Sequence, residues 1–109
     1  MATITTNLKI SQNDYGKPIT FTLYESDGTT ARNLTGYTAT FKVWTPGSPT
    51  SVILSGVCTV DSEAGGICHY QPVAGDFPTV GLYNAEIELT ASGVVDSIIP
   101  FTLEVQESA

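Results

Sequence analysis

Two cysteines and the single histidine, Cys58, Cys68 and His69, are the residues whose types could support redox chemistry or metal binding. The cysteines fall on the two arms of one predicted hairpin, and a loop at 61–65 would set them directly opposite each other. Opposite Cβ atoms in an antiparallel pair lie about 4.5–5.5 Å apart, from which a small adjustment forms a disulfide. The spacing therefore predicts that the two thiols are neighbours.

The redox state of this pair is left open by the sequence. A disulfide is one outcome, and two reduced, buried thiols are the other, because disulfides are rare in proteins made in the cytoplasm. Zinc is disfavoured, since these residues supply too few ligands and His69 alternates to the opposite face of its strand. No nucleophile or orienting carboxylate is spaced for His69 to act as a general base.

Acidic side chains form no catalytic or metal-binding pattern. Glu86 and Glu88 are two apart on one strand, without the cleft that a glycosidase needs. Five carboxylates in loops lack the D-x-D-x-D-G order of a calcium loop and are better explained as turn and cap residues. They are Asp14, Asp27, Asp61, Glu63 and Asp76. We therefore predict no enzymatic activity, no metal and no cofactor.

Composition indicates one acidic domain of 109 residues with a net charge of −7. The four basic residues are scattered, so no basic patch is available to nucleic acid. They are Lys9, Lys17, Arg32 and Lys42. No apolar run reaches the roughly 20 residues that span a bilayer, and no signal peptide is recognisable. We expect synthesis in a cytoplasm, without a membrane or nucleic acid as partner.

Alternating apolar and polar residues indicate the elements that carry these groups. The clearest case is 81–105, which predicts two strands joined by a Gly-containing turn. Tyr83, Ala85 and Ile87 alternate with polar residues in the first arm, as Phe101 does in the second. A period of two means that one face of a strand is buried and the other is solvated.

Seven such strands are predicted along the chain, with turn signals between them and no helix longer than two turns. They cover 2–11, 18–24, 37–44, 51–60, 66–73 and the two arms of 81–105. The fold class is all-β, a single antiparallel immunoglobulin-like sandwich over residues 1–109. The predicted core consists of Ile19, Phe21, Leu23, Phe41, Val43, Tyr83, Ala85, Ile87, Phe101 and Leu103.

Three segments carry a family resemblance. They are YGKPITFTLYESDGT at 15–29, NLTGYTATFKVW at 33–44 and GDFPTVGLYNAEIEL at 75–89. Together they resemble the immunoglobulin-like N-terminal domain of phage baseplate upper proteins, over about residues 12–105. The resemblance implies a non-enzymatic structural protein of a bacteriophage virion, assembled in the bacterial host cytoplasm. It also implies docking on other tail, baseplate or capsid proteins, in a decoration or adaptor role.

Two groups of residues could form the contacts of such a protein. The N-terminal segment 1–11, with Ile4 and Leu8, has one charged residue and no proline. It therefore suits strand addition to, or exchange with, a neighbouring subunit. Trp44 and Tyr24 fall on the outward phases of their strands and could anchor one aromatic sheet face. This predicts an oligomeric or lattice-bound protein.

Two alternatives stay open at this point. The first strand could pair only within its own sandwich, which would leave a self-contained monomer. The outward aromatic residues could also bind a sugar ring, since aromatic rings offer a large apolar face. In that case the chain would be a stand-alone carbohydrate- or host-surface-binding module.

Overall fold

Ten strands form the secondary structure of the residues that the computed structural model describes, which are 3–4, 8–25, 27, 29–47, 52–97 and 101–107. In chain order they are β1 Thr3–Ile4, β2 Leu8–Ser11, β3 Ile19–Tyr24, β4 Thr38–Trp44, β5 Val52–Val57, β6 Thr59–Ser62, β7 Ile67–Tyr70, β8 Gly81–Ala91, β9 Val94–Ser97 and β10 Phe101–Gln106. Within these ranges, no helix has the length and apolar character needed to cross a membrane.

The strands form two sheets packed face to face. One sheet has four strands in the order β1-β3-β7-β6, and the other has the order β2-β10-β8-β4-β5, with β9 also paired to β8. Every pairing is antiparallel except that of β2 with β10, which is parallel. This is the strand order of an immunoglobulin-like sandwich, so the predicted fold class is confirmed.

Three predicted strands are each divided in two, which accounts for the difference between seven and ten. The first is β1 and β2, the fourth is β5 and β6, and the last is β9 and β10. The first and fourth cross from one sheet to the other between their halves. Alternation cannot reveal such a crossing, because both halves keep one face toward the same core.

The core lies between the sheets and contains most of the predicted residues. Eight of the ten are buried, while Ile19 and Tyr83 are partly buried and pack against the others. Phe41 is central, with its ring centroid 5.1 Å from that of Phe21 and 5.4 Å from that of Tyr70. Aromatic pairs at this separation add to the stabilisation from burial alone.

Hydrogen bonds hold the crossover between β7 and β8. The Asp76 carboxylate accepts the Tyr70 hydroxyl at 2.6 Å and the Val73 N–H at 2.9 Å, which confirms its predicted role in the turn. The Tyr83 hydroxyl donates to the Thr79 carbonyl at 2.9 Å. This last bond, at the start of β8, is the tyrosine corner of immunoglobulin-like folds. Burial, together with the Asp76 hydrogen bond, raises the pKa of Tyr70.

Candidate interaction surface

Trp44 and Tyr24 are both half-buried and point away from the core, but they lie on different sheets. Trp44 is the last residue of β4 and follows the buried Val43. Tyr24 is the last residue of β3 and follows the buried Leu23. The two aromatic residues therefore lie on opposite outer faces of the sandwich. The prediction that they share one aromatic face is wrong, because outward phase alone does not identify the sheet.

A β-bulge shapes the surface beside Trp44. Val43 pairs with Leu54 and Trp44 with Val52, so Ile53 is an extra residue on β5. Bulges redirect side chains and twist the strand that carries them. Val52 and Ile53 are 44% and 46% exposed as a result, although they are adjacent in the chain.

Leu82 extends this apolar surface onto β8. It is 61% exposed and stands two residues before Asn84, the register partner of Trp44. We call Trp44, Val52, Ile53 and Leu82 the Trp44 patch. Beyond it, the same outer face becomes charged, with Lys42 paired to Glu88 at 3.0 Å. Protein interfaces usually combine an apolar centre with a polar or charged rim.

The edge of the large sheet on this side is β5, which contains neither a charged residue nor proline. Both are common guards of an edge strand against pairing with another chain. Val57, at its far end, is 68% exposed. Gly56 turns toward the core, where a Cβ atom would meet the Tyr70 ring at 2.2 Å. Packing under Tyr70 therefore requires glycine at this position of the edge strand.

The N-terminal segment pairs within its own sandwich. Ile4 is the register partner of Leu23 in β3, and Leu8 that of Leu103 in β10. The two halves thus join different sheets, and the side chains of Ile4 and Leu8 lie outside the described residues. Within one copy of the chain, this pairing agrees with the alternative in which the first strand pairs inside its own sandwich. Exchange of residues 1–11 between copies stays a prediction.

Cys58 and Cys68 are both buried and free, and they lie close enough to shift each other's pKa. They are not directly opposite, because Val60 is the register partner of Cys68 and the register shifts near Asp61. The two cysteines are diagonal neighbours on one face instead. The neighbouring Cys68 and burial raise the pKa of the Cys58 thiol, which disfavours the reactive thiolate at Cys58. The neighbouring Cys58 lowers the pKa of Cys68. Whether they bond in the purified protein stays a prediction.

The remaining candidate residues serve local structure. His69 Nδ1 lies 2.8 Å from a carboxylate oxygen of Asp61 across the hairpin. Asp27 accepts the backbone N–H groups of Thr29 and Thr30 at 2.9 Å, and the hydrogen bonds to Thr30 are the main reason that its pKa falls to about 2. In the described ranges, potential metal ligands do not gather in groups of three or more.

Comparison with known proteins bears on the family and on the fold. The model of one family, described as the BppU N-terminal domain, matches residues 2–109. Among solved structures, the chain is similar to CopC from Methylosinus trichosporium OB3b, with 8% identity and a TM-score of 0.54. That match covers 100% of this chain and 97% of the other, and at this identity it shows the fold alone. No curated protein matches.

Proposed function

We propose that this chain, which belongs to the BppU N-terminal domain family, docks on other proteins of the phage virion through strand β5 and the Trp44 patch. The family is a domain of phage baseplate proteins, so the chain is a virion structural component. The observation that carries the proposal is the uncharged edge of β5 beside an exposed apolar patch. The chain otherwise has a net charge of −7.

Docking would combine backbone pairing with side-chain burial. A partner strand that adds to β5 satisfies the outer row of backbone N–H and C=O groups, which provides affinity through the main chain. Trp44 supplies an aromatic anchor of the kind that dominates binding energy at interfaces. Val52, Ile53 and Leu82 surround it and lose apolar surface to the partner. The absence of charge on β5 leaves no ion to desolvate there.

The partner in this proposal is another tail, baseplate or capsid protein, on which the chain acts as an adaptor or decoration. Several copies can be displayed on one particle, because each copy needs only its own β5 edge and Trp44 patch. The family favours the baseplate among these locations, since the matched domain belongs to baseplate upper proteins.

The test is incorporation of variant chains into phage particles, measured by quantitative immunoblotting of purified particles. Trp44→Ala should reduce incorporation strongly, whereas Tyr24→Ala, on the opposite outer face, should leave it unchanged. Both residues are half-buried aromatic side chains at strand ends, so each variant controls for the general effect of removing a ring. Circular dichroism should show that both variants keep the fold.

Equal incorporation of the two variants would contradict docking through the Trp44 patch. A loss with Tyr24→Ala alone would assign docking to the small sheet instead. Binding of the isolated protein to neutral glycans, abolished by Trp44→Ala, would support the alternative function as a carbohydrate- or host-surface-binding module.

A further inference from the structure

A groove lies along the other side of the sandwich, between β2 and the beginning of β3. Its volume is about 430 Å³. It is lined by parts of both strands and by the loop that joins them, and its polar or charged residues include Lys9, Asp14, Tyr15, Lys17 and Thr20. Tyr15 is 63% exposed, so its side chain is accessible to a ligand.

Backbone hydrogen bonds fix the loop that carries Asp14, Tyr15 and Lys17. The Asn13 N–H donates to the Phe77 carbonyl at 2.9 Å, and the Gly16 N–H to the Pro72 carbonyl at 2.8 Å. The groove is therefore held in shape from both sides of Tyr15. A preformed site loses less conformational entropy on binding than a flexible one.

The two lysines that line the groove differ in ion pairing from the other two basic residues of the chain. Arg32 and Lys42 are engaged in ion pairs with Asp96 and Glu88, at 2.9 and 3.0 Å. Lys9 and Lys17, by contrast, have no carboxylate oxygen within 4.0 Å among the described residues. In a chain of net charge −7, both of these cations line one groove.

We propose that this groove binds an acidic saccharide, a sugar unit that carries one carboxylate or phosphate group. The two lysines provide charge-assisted hydrogen bonds to the acidic group. Tyr15 offers a ring face to the sugar. Asp14 and Thr20 can accept hydrogen bonds from sugar hydroxyl groups.

The same residues argue against other anions. Asp14 and the net charge of −7 repel a ligand with several negative charges, such as a nucleoside polyphosphate or a nucleic acid. A neutral sugar would leave both lysines unused. The combination of two cations, one carboxylate and one exposed aromatic residue therefore fits a ligand with one acidic group and several hydroxyl groups. The site lies away from the Trp44 patch and does not depend on the docking proposal.

The test is titration of the ¹⁵N-labelled full chain with glucuronic acid, glucose 6-phosphate, glucose and inorganic phosphate, followed by amide chemical shifts. Lys17→Gln and Lys42→Gln form a matched pair, because each removes one positive charge and only Lys17 lines the groove. We expect an acidic sugar to shift amides in 9–20, and Lys17→Gln to weaken its binding roughly tenfold. Lys42→Gln should change the affinity by less than about twofold.

The two acidic sugars distinguish a carboxylate from a phosphate as the recognised group, and binding of either one supports the proposal. Three outcomes would overturn it. In the first, neither acidic sugar shifts these amides at concentrations of about 10 mM, which would detect a millimolar dissociation constant. In the second, glucose or inorganic phosphate binds as tightly as the acidic sugars. In the third, Lys17→Gln and Lys42→Gln weaken binding equally.

Discussion

Strand β4 shows the difference between the two sides of the large sheet. On its inner side, Phe41 and Val43 are fully buried, and the Phe41 ring meets rings of Phe21 and Tyr70 from the opposite sheet. On its outer side, Lys42 forms an ion pair and Trp44 lies half-buried beside exposed residues of β5. Changes on the inner side should therefore alter stability, and changes on the outer side should alter binding.

The largest effect on stability is expected for Phe41→Ala. Removal of a buried phenylalanine ring costs about 3–5 kcal/mol of the free energy of unfolding, because burial is lost and a cavity remains. Val57→Ala, at a residue that is 68% exposed, should change the same quantity by less than about 0.5 kcal/mol. Urea unfolding followed by circular dichroism measures both. Similar losses of unfolding free energy for the two variants would contradict the placement of Phe41 on the buried inner side of the sheet.

A smaller effect is expected at the border between core and turn, where Asp76 accepts the Tyr70 hydroxyl and the Val73 N–H. Asp76→Ala leaves both donors without this acceptor and should cost roughly 1–3 kcal/mol of the free energy of unfolding. Tyr70→Phe removes the donor as well as its bond, so no hydroxyl is left unsatisfied and the cost should be smaller. If Tyr70→Phe proves the more destabilising change, the hydrogen bond is not the main contribution of this contact.

The thiols give a test that needs no change in stability. Cys58 is 7% exposed and Cys68 is fully buried, so both should resist iodoacetamide in the folded protein and react once urea unfolds it. Mass spectrometry of protein purified under reducing conditions should then count two added groups. Rapid labelling without urea would contradict the burial of this pair. A sample purified without reductant that stays unlabelled in urea would instead establish the disulfide.

The sequence predicted the inner side of the sandwich better than the outer side. Burial follows from alternation, which is why Phe21, Phe41 and Ile87 were recognised as core residues. Leu34 and Phe77 are also buried but lie between strands, where no alternation marks them. Their burial depends on how loops fold over the ends of the sheets.

Features that join distant segments were not predictable in the same way. The bulge beside Trp44 and the register shift beside Cys68 each depend on how two strands pair, and one residue of difference in register changes which side chains are neighbours. Alternation also does not identify the sheet to which a strand belongs, so it could not show that Trp44 and Tyr24 face opposite ways. The groove near Tyr15 likewise forms only when folding brings β2 and the beginning of β3 together.

Incorporation of two lysine variants into phage particles tests docking through β5 most directly. Val57 on β5 and Val95 on β9 are 68% and 69% exposed, so both substitutions add one positive charge at sites of equal exposure with little effect on stability. A charge on an edge strand opposes pairing with another strand. We expect Val57→Lys to reduce incorporation about tenfold or more, while Val95→Lys incorporates at the wild-type level. Wild-type incorporation of Val57→Lys would contradict docking through β5.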